Sequence, residues 1–295
     1  MTDPHLPEVI KERRQLINVA YRLLGSLAEA EDVVQETYAR WYALSAGQRA
    51  EVTVPGAWLT TVASRICLDL LGSARARRES YVGEWIPEPV PDRSSSGGRA
   101  CVDPADRITL DESISMAFLI VLDSMTPAER VSFVLHDVFR YSFAEVADIV
   151  GRSPAACRQL AFSARRRIDT SRSPSGTERS EVVRDFKKAW ETKDIEALIG
   201  LLDPQAIATA DGGGLALAFR DPINGGDQIA HAFIEIATYG PAVTLLERTV
   251  NGQPGLVAQL DGTIVSVYAF DITHDRISRI WAIRNPEKLR SWTAP

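Results

Sequence analysis

The densest chemistry in the chain lies between Arg152 and Arg172. Six arginines (152, 158, 165, 166, 167 and 172) stand there against one acid, Asp169. Such a run suits phosphate, and arginine or glutamine on a helix face can pair with guanine or adenine edges in a major groove. Helical phase sorts the residues. Cys157, Leu160, Ala161, Ala164 and Ile168 recur at steps of three or four and make an inward stripe. Arg158, Gln159, Phe162, Arg165 and Arg166 fall on the remaining faces. The chemistry on offer is base-edge reading by Arg158 and Gln159, with Arg152, Ser153 and the arginine run on phosphates.

A second set is acidic. Glu29, Asp32 and Glu36 are spaced three and four apart, with Gln35 beside them, opposite an apolar face of Ala30, Val33, Val34, Thr37, Tyr38 and Trp41. Spacing alone makes this a solvated helix face. Candidates for catalysis are few. Asp261 precedes a glycine in a hairpin signal, Asp211 precedes Gly212, Gly213 and Gly214, and His231 and His274 have no partner visible in sequence. No acid/base pair aligns, so no catalytic residue is assigned. Cys67, Cys101 and Cys157 lack the spacing of metal ligands or of a disulfide framework, and neither metal nor cofactor is expected.

The elements that must position these residues are marked by their caps. Thr126-Pro127-Ala128-Glu129 and Ser142-Phe143-Ala144-Glu145 are capping boxes. The second opens the helix FAEVADIV, Gly151 ends it, and Ser153-Pro154 starts the basic helix: a helix-turn-helix pattern. Upstream, helices are expected over 8–24, over 29–45, and after Pro55 through Arg75, Arg77 and Arg78. Downstream come helices VVRDFKKAWETK and DIEALIGLL. Strand-like runs AIATAD, LALAFR, AVTLLERT, GLVAQL, TIVSVYAFD and RISRIWAI follow, with Asp261-Gly262 as a hairpin turn. Helices followed by a strand meander predict an α+β domain with a curved antiparallel sheet.

The chain of 295 residues is long enough for two or three domains, and 45% hydrophobic residues can fill real cores. Two stretches rich in Pro, Ser and Gly read as linkers, 89–106 and 171–180. They give parts at 1–88, 107–170 and 181–295. The net charge of −6 argues against coating DNA by bulk attraction, so the basic block implies a focused contact. No apolar run spans a bilayer, and the first residues lack a signal-peptide core, so a cytoplasmic protein without membrane contact is expected.

At this point a family resemblance enters. AYRLLGSLAEAEDVVQETYARWY (20–42) with VPGAWLTTVASRICLDLL (54–71) resembles region two of extracytoplasmic-function sigma factors. Residues 122–168 resemble their region four. The remainder is similar to a subgroup with an added NTF2/SnoaL-like domain. Three motifs carry that likeness: Trp85-Ile86-Pro87-Glu88-Pro89, Asp211-Gly212-Gly213-Gly214 and Asn285-Pro286-Glu287-Lys288-Leu289.

The resemblance implies two all-α sigma domains and a C-terminal α+β cone. It implies that Glu29, Asp32, Gln35 and Glu36 bind core RNA polymerase. Trp58, Thr60, Thr61, Arg65, Arg75, Arg77 and Arg78 would read the −10 element, and the helix at 153–168 the −35 duplex of promoter DNA. The three motifs would regulate in cis, and the added domain leaves room for a small ligand. Such a protein makes and breaks no bond. A ligand-responsive repressor or activator, and an enzyme fused to a DNA-binding module, are the other two readings. The regulator reading does not account for the region-two-like first part.

Overall fold

The computed structural model describes residues 6–79, 81–92, 114–168 and 176–293. They form two units. The first holds 6–79 with 121–168; the second holds 81–92, 114–120 and 176–293.

In the first unit, α1 (Leu6–Leu24), α2 (Leu27–Ala43) and α4 (Pro55–Glu79) pack on one another, with short α3 (Ala46–Glu51) between α2 and α4. The apolar stripe of α2 faces inward, with Ala30, Val33, Val34, Thr37 and Trp41 buried and Tyr38 half-buried. Helix α4 supplies Leu59, Ala63, Cys67 and Leu71. Burial pushes the Cys67 thiol well above its usual range, so it behaves as a small core hydrophobe.

Helix α5 (Met116–Asp123) leads into α6 (Pro127–Phe133), α7 (Phe143–Val150) and α8 (Pro154–Arg165). Both capping boxes form, with Glu129 and Glu145 reaching back to the main chain of Thr126 and Ser142. Helix α6 ends in a π-helical turn, Val134–Val138, a widening that sequence does not announce. Gly151 takes φ 70° between α7 and α8, the left-handed conformation that closes a helix-turn-helix.

The second unit is built on a six-stranded sheet: β1 (Leu202–Asp211), β2 (Ile223–Asn224), β3 (Thr244–Val250), β4 (Gln253–Leu260), β5 (Thr263–Thr273) and β6 (Arg276–Ile283), in the order β2-β1-β6-β5-β4-β3. The hairpin turn at Asp261-Gly262 forms between β4 and β5. The sheet is mixed rather than antiparallel, because β1 and β6 run parallel. Their connection spans the whole meander, which short hairpin signals do not encode.

One further expectation is corrected, and one helix lies where no element was expected. LALAFR (215–220) is not a strand: the amides of Leu215 and Ala216 both bond the Gly212 carbonyl, turning the chain off the end of β1. Residues 226–239 form helix α11 (Gly226–Tyr239), with Ile229, Ala230 and Phe233 buried at helical spacing.

Side-chain alternation gives the sheet two cores. Tyr268, Phe270 and Ile272 of β5 join Val183, Phe186 and Trp190 of α9 (Gly176–Thr192), Leu198 of α10 (Ile195–Leu201) and Phe233 of α11. Val267 and Ala269 face the other way, where Ile86, Met116 and Leu289 cover them. The tail enters this second core through Leu289 and continues into α12 (Arg290–Thr293).

Candidate nucleic-acid interface and linker-holding cluster

Helix α8 is positioned from its inward stripe. Cys157, Ala161 and Ala164 are buried, while Leu160 and Ile168 are half-buried. Arg152, Ser153, Arg158, Gln159, Phe162, Arg165 and Arg166 are all exposed. The Ser153 hydroxyl accepts from the Ala156 amide at 3.2 Å, so it serves as the N-cap of α8. The Arg158 guanidinium sits 5.4 Å above the Phe143 ring, which stacks in turn on His136 at 3.7 Å. Arg165 pairs with Asp137 at 2.6 Å. The result is an open basic and amide-bearing face on a rigid, doubly capped support.

The expected −10 readers on α4 are in a different state. Arg65 and Thr61 have solvent access and Trp58 is half-buried against Trp41, ring centroids 5.2 Å apart. Thr60 is wholly buried: its hydroxyl accepts a hydrogen bond from Tyr141 at 3.1 Å, and Tyr141 accepts one from Gln15 at 3.0 Å. Thr60 therefore cannot touch DNA in this arrangement, because a residue just ahead of α7 occupies it. Arg65 donates to the Asp148 carbonyl of α7 at 2.7 Å. Arg130 of α6 reaches the Leu23 carbonyl of α1 at 2.8 Å, with Asp123 at 2.8 Å balancing its charge. Burial lowers that guanidinium to about 10. Arg75, Arg77 and Arg78 lie in the last turns of α4, and their side chains fall outside the described residues.

On α2, Asp32, Gln35 and Glu36 are exposed and Glu29 is half-buried; Glu36 pairs with Arg40 at 2.8 Å.

In the second unit a buried cluster centres on Asp211. One carboxylate oxygen accepts from the Tyr81 hydroxyl at 2.7 Å and the Gly213 amide at 3.0 Å. The other accepts from the Ile86 amide at 3.0 Å and the Lys288 ammonium at 2.6 Å. Lys288 also donates to the Ile86 carbonyl and lies 4.4 Å over the Trp85 ring. The Asn285 amide donates to the Tyr81 hydroxyl at 2.8 Å. Burial and the adjacent Asp211 carboxylate raise the Tyr81 phenol far out of its usual range. Gly213 has φ 60°, and a Cβ there would stand 2.3 Å from the Asn285 amide nitrogen, so the approach requires glycine.

The segment after Ile86 stays on the sheet. Pro87, Glu88, Pro89 and Val90 are buried. Val90 exchanges two hydrogen bonds with Asn251, each 2.9 Å, and Pro89 accepts one from the Trp292 indole at 2.9 Å.

Comparison with known proteins places this architecture. The sequence matches Sigma-70 region 2 over residues 9–77 and Sigma-70, region 4 over residues 115–168. It is 36% identical to the ECF RNA polymerase sigma factor SigJ of Mycobacterium tuberculosis, over 94% of this chain and 90% of that one. The chain belongs to the ECF sigma factor family. SigG of the same organism is 30% identical, covering 92% of this chain and 78% of its own. The crystal structure of Mycobacterium tuberculosis SigJ superposes with a TM-score of 0.76 at 34% identity, over 97% of this chain and 98% of that one.

In this sigma factor the three short motifs meet. Trp85, Pro87, Glu88 and Pro89 lie on the same side of the sheet as Asp211, Asn285, Lys288 and Leu289, with Gly212 and Gly213 turning beside them. A Cβ at Gly214 would stand 3.2 Å from Val82, while Pro286 and Glu287 are exposed and support the turn, Glu287 pairing with Arg290 at 3.7 Å. Sequence reasoning missed Tyr81, Asn251 and Trp292. Tyr81 lies 130 positions from Asp211, and no periodicity connects them. Of the catalytic candidates, Asp261 is in its turn and His231 bonds the Asp227 carbonyl of its own helix at 2.8 Å.

Proposed function

We propose that this chain binds core RNA polymerase through α2, by Glu29, Asp32, Gln35 and Glu36, and carries it to promoter DNA. Helix α8 reads the −35 duplex: Arg158 and Gln159 take base edges, while Arg152, Arg165 and Arg166 hold phosphates. Trp58, Thr61, Arg65 and the arginines at the end of α4 take the −10 strand, joined by Thr60 once Tyr141 leaves it. The open face of α8 on its capped support is the observation that carries this reading. The contacts of Thr60 and Arg65 with region four support a resting state in which the −10 surface is covered.

The C-terminal domain acts in cis. It grips residues 81–92, the stretch that leads out of region two, and so sets how much of the linker is free to span the promoter. Among the described residues no helix is long and apolar enough to cross a membrane.

The test is run-off transcription with purified core polymerase. The intact chain directs initiation from its promoter. The double variant Asp32→Lys/Glu36→Lys keeps its fold and loses core binding, more completely as salt is raised. A folded double variant that still pulls down polymerase removes α2 from the interface.

A further inference from the structure

The second unit contains a cavity of about 560 Å³. It lies on the sheet face opposite the Asp211 cluster, and its size is that of a site for a small organic molecule. Its interior is apolar, with Trp190, Phe233, Tyr268, Ala258 and Ile280 among its walls. Leu217 and Tyr239 stand at its mouth with 86% of their surface exposed, an unfavourable placement for large apolar side chains with nothing to cover.

The polar groups in this lining are few. The Ser266 hydroxyl is buried, with the Tyr268 phenol as its polar neighbour. Ser266 and Tyr268 are two apart on β5 and share the cavity face. The Arg284 guanidinium, at the end of β6, makes one hydrogen bond, to the Leu217 carbonyl, leaving most of its five donors unused. Ser266, Tyr268 and Arg284 all line the cavity, and burial pushes the Tyr268 phenol up while Ser266 and Arg284 pull it down. Glu235, the carboxylate in the lining, is exposed and makes no ion pair among the described residues.

We propose that this cavity binds an apolar carboxylic acid. Its hydrophobic body lies among Trp190, Phe233 and Tyr268, and its carboxylate sits on Arg284 and Ser266. A planar guanidinium matches a carboxylate in two parallel hydrogen bonds, and the adjacent hydroxyls supply further donors. The amide of Arg284 donates to the Asp211 carbonyl at 2.7 Å, so an occupant held by this residue is one peptide away from the cluster that grips the linker. Only that consequence for transcription rests on the docking role proposed above; the binding does not.

Calorimetric titration of the full chain with 2-naphthoate, and with uncharged 2-naphthamide as its isostere, tests the assignment. Naphthoate is expected to bind at least about tenfold more tightly than the amide. Arg284→Gln should erase that preference while leaving the amide affinity unchanged, and Arg284→Lys should restore part of it. Ala282→Phe, which fills the cavity from β6, should abolish both heats in a protein that still melts cooperatively. Equal affinity for the two probes, a preference that survives Arg284→Gln, binding retained in Ala282→Phe, or no binding of naphthoate at about millimolar concentration would each overturn the proposal. No arm of the test involves polymerase or promoter, so its failure leaves the docking role standing.

Discussion

The two units bring distant stretches of chain together by different means. In the first, regions two and four meet through hydrogen bonds from Tyr141, Arg65 and Arg130 to a hydroxyl or to main-chain carbonyls. In the second, residues 81–92 are fixed by a buried carboxylate and ammonium whose neighbours satisfy them on every side. The difference lies in what one lost partner costs. The Tyr141–Thr60 bond is neutral and worth about 1 kcal/mol net, and Arg65 is exposed, so these two contacts can open and close, whereas Arg130 is buried and paired with Asp123. A buried charge left alone costs about 3–5 kcal/mol, so the second is close to all-or-none. The Tyr141 and Arg65 contacts are thus suited to switching, and the Asp211 cluster to holding the linker throughout.

The largest expected effect follows from that asymmetry. Lys288→Met leaves Asp211 buried with neutral donors only, and should destabilise the second unit by about 3–5 kcal/mol in denaturant titrations. Adding Asp211→Asn should recover much of the loss, since the remaining groups can then pair as neutral partners. If Lys288→Met costs no more than a surface substitution, the cluster is not a fixed hold and the contrast between the units disappears.

How much of this was legible in the sequence depended on the range of the interaction. The caps of α6, α7 and α8 and the turn at Asp261-Gly262 are set by residues within four positions of one another, and they form where the pattern put them. The outward phase of Arg158, Gln159 and Phe162 is equally local. The run at 215–220 alternates like a strand, yet β1 already has β2 and β6 beside it, and the glycines before the run turn the chain away. Thr60 has the composition of a DNA-facing residue, but its state is decided by Tyr141, 81 positions on. The parallel pairing of β1 with β6 and the partners of Asp211 are tertiary facts. Only the family resemblance, not spacing, grouped the three motifs that meet there.

The next effect in size concerns α8, which is open whether or not regions two and four stay together. Arg158→Ala and Gln159→Ala should each weaken −35 duplex binding by about 1–3 kcal/mol and relax preference at one base pair. Changing Arg166 should weaken all sequences alike and reduce the salt slope. Selectivity unchanged by Arg158→Ala in an anisotropy titration would mean that the base-reading face is misassigned.

Smaller still is the effect of loosening the pairing of regions two and four. Tyr141→Phe removes the hydroxyl between Gln15 and Thr60 and should weaken the covered state by about 1 kcal/mol. Single-stranded −10 DNA should then bind the free chain up to about fivefold more tightly, while −35 duplex affinity stays as it was. A parallel gain at both elements would show that α8 is also restrained, and would break the distinction between an open and a covered DNA surface.

The smallest effect isolates the support of α8 from its charge. Glu145 closes the capping box of α7, and hydrogen bonds from Ser142 hold its carboxyl below the usual carboxylate range. A folded-state value below the unfolded one stabilises above the unfolded pKa, near 4.5, and that contribution is lost as pH falls through the folded value. Glu145 is exposed, so solvent screening limits the contribution to a few tenths of about 1 kcal/mol. Glu145→Gln keeps an acceptor for the Ser142 amide but cannot ionise. The stability gap between the wild type and this variant should be flat from pH 7 to about 5 and should close as the solution becomes more acidic, without change in −35 selectivity at neutral pH. A gap that persists at low pH would mean that Glu145 acts through packing rather than charge. A change in selectivity would mean that the cap of α7 sets the aim of α8 as well as its stability.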